Sequence, residues 1–410
     1  MTNTALDSTT RAFQTLLQPS EPVQQLLETA SLYLHIPFCH TRCHYCDFNT
    51  YAGILPLREP YVRALLTEIE LAGKMTRRAD GLPRRSRTIF FGGGTPSMLG
   101  VNQISRLLNA CFDAFAVDKD AEITLEANPG TLSPEQLVGL RAAGINRLSM
   151  GAQSFDAGLL KTLGRIHSPE EITQAVQYAR AAGFTSLNLD FMFGLPGQTM
   201  QHWRETLERA LDLHPDHFSL YSLIIEEGTP FYTWTQEGSI VPGDEDLCAD
   251  MYEYADELLQ RAGYVNYEIS NWSLPGQHSR HNLTYWQNLP YIGMGAGAYS
   301  SFGGRRFSDE RDPLTYIKQL KAGRIPEVES EVVGHEQAMS ETAFLALRTA
   351  IGLHLPTFAQ RFGQPFAQFV GDRLHVVEEA GLLEKEDGWL RLSQRGRLLG
   401  NEVFLRLLPD

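Results

Sequence analysis

Three of the chain's five cysteines, Cys39, Cys43 and Cys46, lie close together near the N-terminus. Three residues separate the first pair and two separate the second, so one short loop can carry all three thiols. Thiolates at this spacing can bind three corners of an iron–sulfur cube, which leaves the fourth iron without a protein ligand. A cluster that only transfers electrons normally has four cysteine ligands, so this pattern predicts a cluster whose open iron binds a small molecule.

Two other uses of the loop remain open. His35, His40 and His44 lie among the thiols, and three cysteines with one histidine form a common structural zinc site. The loop also resembles the signature of covalent haem attachment, although it has one residue too many between the first two cysteines. The other cysteines, Cys111 and Cys248, are isolated in segments of helical period, and we predict that both are core residues.

Composition and charge limit the class of protein. The 410 residues are 43% hydrophobic and 20% charged, with a formal net charge of -14, which argues against nucleic acid or an anionic membrane as the main partner. The chain has no run of 18 apolar residues and no basic residue among its first ten, so we predict neither a transmembrane segment nor a targeting peptide. Cysteines without a disulfide pattern fit a reducing compartment, and we expect a cytoplasmic protein.

Between residues 32 and 221, short apolar segments alternate with longer segments of helical period. The predicted strands are Leu32–Ile36, Thr88–Phe91, Glu122–Glu126, Arg147–Met150, Ser186–Phe191 and His217–Tyr221. The predicted helices between them are Tyr61–Lys74, Gln103–Phe115, Pro134–Ala143, Pro169–Ala182 and Trp203–Leu213. This alternation predicts an α/β fold with a parallel sheet, either open or curved into an incomplete barrel.

The carboxyl ends of parallel strands form the binding site in such folds. In this chain, glycines or polar residues lie at or just beyond the ends of the first five predicted strands. In chain order these are the cysteine loop, Gly92-Gly93-Gly94-Thr95, Glu126 with Asn128, Gln153 with Arg165, and Asp190 with Gly194. Because parallel strands end at the same edge of a sheet, we predict a ligand site at that edge.

The pattern changes beyond residue 221. The run HNLTYW at residues 281–286 precedes a glycine-rich segment. Predicted helices at Glu336–Ala350, Thr357–Phe362 and Phe366–Ala380 then lead to a hairpin with its turn at residues 387–388. This plan is typical of a winged helix, but residues 357–410 hold seven Lys/Arg against eight Asp/Glu, so we predict a packing or lid role instead of DNA binding. We divide the chain into a polar extension (1–30), a core (31–235), a core extension (236–330) and a C-terminal unit (331–410).

Taken together, the motifs resemble the radical S-adenosylmethionine (SAM) superfamily, and within it the branch of the oxygen-independent coproporphyrinogen III oxidases. The strings HIPFC, FFGGGTPS, EANPG, RLSMGAQSF and DFMFGLPGQT carry this resemblance. It implies a three-quarter parallel (β/α)6 barrel of radical SAM type, followed by a C-terminal α+β domain similar to a winged helix. It also implies a 4Fe–4S cluster whose open iron binds SAM.

Within that branch the chain resembles the haem chaperones more than the oxidases. The oxidases have a further cysteine two residues after the third, where this chain has Asp47 and Phe48, and the run HNLTYW is similar to the HNxxYW motif of the chaperones. The resemblance implies that the chain binds haem as cargo, uses an electron donor, and delivers haem to haem-accepting proteins such as respiratory enzymes. Coproporphyrinogen III oxidation in porphyrin biosynthesis and radical SAM methyl transfer are the alternatives, so whether the chain is an enzyme stays open, as does a homodimer.

Residue roles follow from the same resemblance. Cys39, Cys43 and Cys46 are expected to hold the cluster, and His281 is a candidate haem ligand, since neutral imidazole is a common axial donor. Contacts with SAM are expected from Tyr33, Tyr45, Gly93, Gly94, Thr95, Glu126, Gln153, Arg165 and Asp190. In the oxidases, the positions that match residues 94 and 95 contact a second SAM. Carboxylates suit ribose hydroxyls or the methionyl ammonium, and an arginine can clamp a carboxylate.

Overall fold

A computed structural model of the protein describes residues 21–407. Its strands are β1 (Ser31–Ile36), β2 (Phe38–Cys39), β3 (Tyr51–Ala52), β4 (Arg85–Gly93), β5 (Ala116–Ala127), β6 (Arg147–Gln153), β7 (Leu187–Phe193), β8 (His217–Ser222), β9 (Val265–Glu268), β10 (Asn271–Ser273), β11 (Tyr291–Met294), β12 (Tyr299–Phe302), β13 (Arg305–Asp309), β14 (Glu327–Val332), β15 (Leu353–His354), β16 (Leu383–Glu386) and β17 (Trp389–Leu392). Its α-helices are α1 (Val23–Leu27), α2 (Arg58–Met75), α3 (Val101–Ala114), α4 (Pro134–Ala143), α5 (Ala157–Leu163), α6 (Pro169–Ala181), α7 (Met200–Asp212), α8 (Pro230–Gln236), α9 (Glu245–Arg261), α10 (Arg280–Trp286), α11 (Pro313–Lys321), α12 (His335–Leu347), α13 (Leu355–Phe362), α14 (Phe366–Val370), α15 (Asp372–Glu379), α16 (Gln394–Leu398) and α17 (Gly400–Leu407). Of the extension predicted for residues 1–30, residues 1–20 lie outside the described residues.

Twelve of the described strands form one sheet, in the order β14-β13-β12-β11-β1-β4-β5-β6-β7-β8-β10-β9. The strands from β11 to β8 are parallel, and those beyond them on both sides are antiparallel. The six predicted strands are β1 and β4 to β8, and they lie side by side in chain order. The predicted α/β fold with a parallel sheet is therefore confirmed. The three-quarter curvature of a barrel stays a prediction.

The two faces of the parallel strands differ in chemistry. One face is apolar and packs against helices such as α2, α3 and α6 in a continuous core, where Leu32, Ile89 and Leu125 are fully buried. The opposite face carries rows of paired, mostly polar residues. One row is Tyr33, Phe90, Thr124 and Arg147, and another contains Glu126, Ser149, Asn188 and His217. Buried polar groups need partners, so this polar face is suited to a ligand site.

Local sequence signals fix the helices that cover the apolar face. Ser133 and Ser168 accept hydrogen bonds from the backbone N–H groups at the starts of α4 and α6, and a proline follows each. Gly144 ends α4 with a φ of 115°, a conformation that glycine adopts without strain. These caps fix where each helix begins or ends.

The C-terminal segment has a separate hydrophobic core formed by residues from α12 onward. Its strands form an antiparallel sheet in the order β15-β17-β16, with Asp387 and Gly388 in the predicted hairpin turn. The single helix predicted for Phe366–Ala380 is wrong, because Gly371, with a φ of 59°, divides it into α14 and α15. The four-part division of the chain stays a prediction.

Hydrogen bonds join this C-terminal core to the main sheet. Arg361 in α13 donates to the carbonyl oxygens of Gln287, at 3.3 Å, and Asn288, at 2.8 Å, just after α10. The backbone N–H of Ala350 donates to the carbonyl oxygen of Tyr267 at 2.9 Å. Within residues 21–407 no helix combines the length and apolarity that crossing a membrane requires.

Candidate cofactor site

The cysteine loop leaves β1 and runs through β2 and β3 beside the Gly92–Thr95 turn. Cys39 is buried, Cys43 and Cys46 are partly buried, and all three are free thiols. Burial raises the pKa of the Cys39 and Cys46 thiols, so binding of iron, which requires thiolates, releases protons. The structure therefore presents the three predicted ligands in reduced form on one loop.

Each of the three sulfur atoms has a polar neighbour. Thr95 Oγ1 lies 3.7 Å from Cys39 Sγ, Thr50 Oγ1 lies 3.7 Å from Cys46 Sγ, and Arg165 Nη1 donates to Cys43 Sγ at 3.5 Å. Hydroxyl and guanidinium donors stabilise a thiolate relative to a thiol. At Cys39 and Cys46 the threonine hydroxyls therefore offset part of the rise in thiol pKa that burial causes.

Two of the three histidines near the loop, His35 and His44, have partners elsewhere. The His35 ring contacts Tyr33 Oη at 3.0 Å and the Asn49 carbonyl oxygen at 2.9 Å, and His44 Nδ1 lies 2.9 Å from the Thr162 carbonyl oxygen. Among residues 21–407, no three or more His, Cys, Asp and Glu side chains are grouped to hold a single metal ion. A zinc ion holds its sulfur ligands about 4 Å apart, whereas a cluster spreads them over several irons. This arrangement gives the zinc alternative no support.

The glycine turn after β4 brings backbone close to the start of the cysteine loop. Gly93 has a φ of 112° and donates its N–H to Glu126 Oε2 at 3.1 Å. A side chain at this position would place its first carbon 2.5 Å from the His35 ring. At Gly94 that carbon would lie 2.8 Å from the Phe38 carbonyl oxygen. Only glycine fits this close approach to His35 and Phe38.

A cavity of about 410 Å³ opens beside this turn, a size that suits a nucleoside cofactor. Three of the predicted SAM contacts, Tyr33, Gly93 and Glu126, line it. The remaining lining residues come from β1, the cysteine loop, α10, residues 291–299 and the segment after β13, and they are His35, Asp47, Phe48, Asn49, Tyr285, Tyr291, Gly297, Ala298, Tyr299 and Arg311. The cavity therefore joins the cysteine loop to the polar face of the sheet.

Arg165 belongs to a second group of predicted contacts, which does not line this cavity. Its Nη2 donates to Gly151 O at 2.6 Å and to Asn128 Oδ1, while its buried Nε has no partner among the described residues. Gln153 is buried with a φ of 66°, an uncommon backbone conformation for a residue other than glycine. Tyr45 packs near Phe231, with ring centroids 6.4 Å apart. The predicted contacts thus form two neighbouring groups.

Two carboxyl groups on the polar face have strongly shifted pKa values. Burial and the charge of Asp190 raise the pKa of Glu126 to about 8, while the Gly93 N–H lowers it. Burial raises the pKa of Asp190 to about 6, against hydrogen bonds from Asn188 and Ser219, and Asn188 Nδ2 donates to Asp190 Oδ1 at 2.7 Å. Shifts of this size are typical of ligand-binding and catalytic sites.

His281, the candidate haem ligand, lies in α10 and is 1% exposed. Its Nδ1 is 2.8 Å from Thr88 Oγ1 and its Nε2 is 2.8 Å from Tyr285 Oη. Burial and the charge of Arg147 lower its pKa to about 3, so the ring is neutral. Ligation of haem iron would require His281 to give up one of these two hydrogen bonds, since both ring nitrogens are occupied.

The structure adds residues to the site beyond the predicted SAM contacts. Asn128, which the sequence analysis noted at a strand end but gave no contact, connects Arg165 to Thr95 Oγ1, which its amide contacts at 3.0 Å. Tyr299 and Arg311 line the cavity from segments far away in the chain, and no local pattern indicated them.

Comparison with known proteins places the chain among characterised relatives. The family model described as the radical SAM superfamily matches residues 33–210, and that of the HemN C-terminal domain matches residues 333–399. The haem chaperone HemW of Bacillus subtilis is 38% identical over 93% of this chain and 99% of its own length. HemW of Escherichia coli is 42% identical over 67% of this chain and 70% of its own length.

A solved structure shows the same fold. Coproporphyrinogen III oxidase (HemN) from Escherichia coli, a radical SAM enzyme, superimposes with a TM-score of 0.81 over 97% of this chain and 93% of its own chain. The two sequences are 24% identical, so this likeness concerns the fold alone. The predicted radical SAM fold is confirmed.

Proposed function

The chain belongs to the family of the haem chaperone HemW, within the radical SAM superfamily, and from this membership we propose that it binds haem and passes it to haem-accepting proteins. The observation that carries the proposal is 38% identity with Bacillus subtilis HemW over nearly the full length of both chains. The HemW proteins of Lactococcus lactis and Mycobacterium tuberculosis match at 36% and 37% identity over 93% and 92% of this chain. A chaperone needs a site that holds haem and also releases it.

The family's cofactors are a 4Fe–4S cluster and SAM, and the residues present fit both. We assign the cluster to Cys39, Cys43 and Cys46, which are free thiols with a polar neighbour at each sulfur. We assign SAM to the cavity and the adjoining polar group, through Tyr33, Tyr45, Gly93, Gly94, Thr95, Glu126, Gln153, Arg165 and Asp190. When bound, the cluster and SAM supply one-electron chemistry, while the protein binds, orients and shields them.

Particular donors and acceptors of the chain support this assignment. Glu126 faces the cavity and can accept hydrogen bonds from hydroxyl or ammonium groups. Arg165 Nε is buried and has no partner in the described part of the chain, so one guanidinium donor is available to a ligand carboxylate. The Gly93 turn admits the ligand where any larger residue would meet the His35 ring.

Haem transfer tests the proposed function. Protein that is reconstituted anaerobically with iron, sulfide and SAM is loaded with haem and mixed with an apo-haemoprotein, and the acceptor's spectrum is followed. We expect faster formation of the holo-acceptor than from an equal amount of haem on serum albumin. Haem that stays on the chain, or that transfers no faster than from albumin, would contradict the chaperone role.

His281 is the proposed haem ligand, and its placement makes the test specific. Ligation must break the hydrogen bond to Tyr285 or to Thr88. We expect H281A to change the absorption spectrum of the bound ferric haem, while Y285F, which keeps the imidazole, leaves the ligation type unchanged. Unchanged haem stoichiometry and spectrum in H281A would remove His281 from this role.

The partners and location that we propose rest on family membership. We propose a cytoplasmic protein that takes electrons from a separate donor and serves haem-accepting proteins such as respiratory enzymes. Coproporphyrinogen III oxidation and methyl transfer remain the alternative functions, and Asp47 and Phe48 after Cys46 count against the first. Formation of S-adenosylhomocysteine by the reconstituted protein would reveal methyl transfer. Sedimentation of the reconstituted protein with and without haem would show whether two copies associate.

A further inference from the structure

Arg147, the first residue of β6, is a buried cation that the family-based assignments do not use. Arg147 is 4% exposed, and its Nε has no hydrogen-bond partner among the described residues. None of the ion pairs formed by the part of the chain that the structure describes includes it. Burying a guanidinium without compensation costs free energy, so we expect its charge to have a role at this position.

The register of the sheet places Arg147 on the same face as the cavity. Tyr33, which lines the cavity, pairs with Phe90, Phe90 pairs with Thr124, and Thr124 pairs with Arg147. Residues paired on neighbouring strands point to the same side of a sheet. Arg147 therefore faces the polar side, three strands across from Tyr33.

The two carboxyl groups of the site share that face. Glu126 follows Thr124 by two residues in β5, and side chains two residues apart point the same way. Asp190 follows Asn188 by two residues, and Asn188 pairs with Ser149, which in turn follows Arg147 by two. Arg147, Glu126 and Asp190 thus lie on the same face of the sheet. The charge of Arg147 lowers the pKa of both carboxyl groups.

Other ionisable groups near these carboxyls or near Arg147 come from several elements. They are Tyr33 and His35 from β1, Glu122 from β5, Arg165 from the segment after α5, His217 and Tyr221 from β8, Tyr267 and Glu268 from β9, His278 before α10, His281 and Tyr285 from α10, Tyr291 from β11, and Asp47 and Arg311 at the cavity. Two of these groups are cations. The Nη atoms of Arg165 already donate to Asn128, Gly151 and Cys43, and Arg311 lines the cavity but is not among the charges that shift the pKa of either carboxyl group. Arg147 is the cation whose charge lowers the pKa of both carboxyl groups.

We propose that Arg147 is a positioning residue, whose guanidinium is the internal counter-charge that allows Glu126 and Asp190 to be carboxylates when SAM binds. The inference rests on SAM binding in the proposed function and adds to it a residue that does not touch the ligand. Two buried carboxylates on one face of the sheet repel each other, and a nearby cation offsets that repulsion. Without Arg147, the pair would hold a proton at a pH where SAM needs a carboxylate acceptor.

The pH dependence of SAM affinity tests this role. R147M removes the charge and keeps most of the volume, and R147K restores the charge. On cluster-reconstituted protein titrated with SAM from pH 6.5 to 9.5, we expect wild-type affinity to rise with pH. We expect R147M to bind about tenfold more weakly at pH 7.5, as for a one-unit rise of a carboxyl pKa, and to approach wild type at pH 9.5. R147K should lie near wild type throughout.

Two further measurements separate this role from a structural one. In the E126Q background, R147M should change the pH dependence of SAM affinity less than it does in the wild-type background, because the contribution of Glu126 is already absent. This comparison is a double-mutant cycle. The melting temperature of cofactor-free R147M should stay near that of wild type at pH 6.5, where a bound proton can neutralise the carboxyl pair, and fall at pH 9.5, where loss of Arg147 leaves buried charge uncompensated. An equal loss of affinity at every pH, or none, would overturn the inference. Wild-type protein that binds no SAM at any pH would instead overturn the proposed function on which it rests.

Discussion

At the scale of single residues, the polar face of the sheet carries two buried carboxyl groups. The N–H of Gly93 donates to Glu126, and Asn188 donates to Asp190. Burial still dominates and raises the pKa of both groups. A ligand that donates hydrogen bonds or carries positive charge would reverse this effect, so binding at Glu126 should be coupled to release of a proton.

The raised pKa of Glu126 makes stability depend on pH. The folded-state pKa of about 8 exceeds the ordinary value of 4.5, so the stabilisation from the bound proton is lost as the pH rises through about 8. Because the side chain faces a cavity, we expect the free energy of unfolding of cofactor-free wild type to fall between pH 6 and 9 by about 1–2 kcal/mol more than that of E126Q. Urea unfolding at both pH values measures this difference.

Glu59 provides the control for that experiment. Hydrogen bonds from Arg106 and Gln103 lower its pKa to about 2, so it stays ionised throughout this range. E59Q should therefore change the free energy of unfolding by the same amount at pH 6 and pH 9. Parallel pH profiles for wild type and E126Q would show that Glu126 does not titrate there.

Sequence patterns located most site residues but not all. Glu126 and Asp190 were predicted because a polar residue at the end of an apolar strand is a clear local signal. Arg147 lies at the start of such a strand, and its importance depends on register with Thr124 and on burial. Neither the register nor the burial can be read from neighbouring residues, since both are set by the packing of the whole sheet.

At the scale of elements, the strand ends and the loops that follow them form the site. The cysteine loop after β1, the glycine turn after β4 and the end of β5 meet at the cavity. The alternation of strands and helices predicted this meeting. It did not predict β11 as a parallel neighbour of β1, because Gly293 and Gly295 make that segment resemble a loop.

The cysteine loop predicts a clear division among the five cysteines. We expect C39S, C43S and C46S each to lose most iron and sulfide after anaerobic reconstitution, because three ligands are the minimum for the proposed cluster. C248S should keep the wild-type iron content, since Cys248 lies in α9 away from the loop. Iron and sulfide analysis of all four variants measures this. Full iron content in any of the first three would contradict the assignment.

We expect one methyl group added at Gly93 to abolish SAM binding. In G93A the new carbon would meet the His35 ring, in addition to backbone strain at a φ of 112°. We expect the free energy of unfolding to fall by about 2–3 kcal/mol and SAM affinity to be lost. The measurements are urea unfolding and SAM titration.

Gly144 is the matched control for this turn. It has a φ of 115°, but an added carbon there would meet no atom within 4 Å. G144A should therefore lose about 1 kcal/mol from strain alone and bind SAM as wild type does. Equal effects of G93A and G144A on SAM affinity would show that the close approach of Gly93 to the His35 ring is not required for SAM binding.

At the scale of the whole molecule, the C-terminal core is held against the main sheet beside α10. Arg361 is largely buried, its pKa is lowered to about 10 by burial, and it donates to two carbonyl oxygens that follow α10. Tyr267, Leu283, Ile351 and Trp389 form a small apolar cluster across the same junction. Movement of the C-terminal core would therefore displace α10, which carries His281 and Tyr285.

We expect R361A to loosen this junction. Two carbonyl oxygens would lose their charged donor, so the free energy of unfolding should fall by about 1–3 kcal/mol, and limited proteolysis near residue 350 should become faster. Arg395 is exposed, so R395A should change stability by less than about 0.5 kcal/mol. Wild-type proteolysis of R361A would show that Arg361 does not hold the junction.

The central claim is that this chain carries haem and does not convert a porphyrinogen. One anaerobically reconstituted sample, with SAM and a reductant, is divided between a haem titration and an assay with coproporphyrinogen III. The account predicts stoichiometric haem binding and no protoporphyrinogen. Formation of protoporphyrinogen by a sample that fails to retain haem would contradict it.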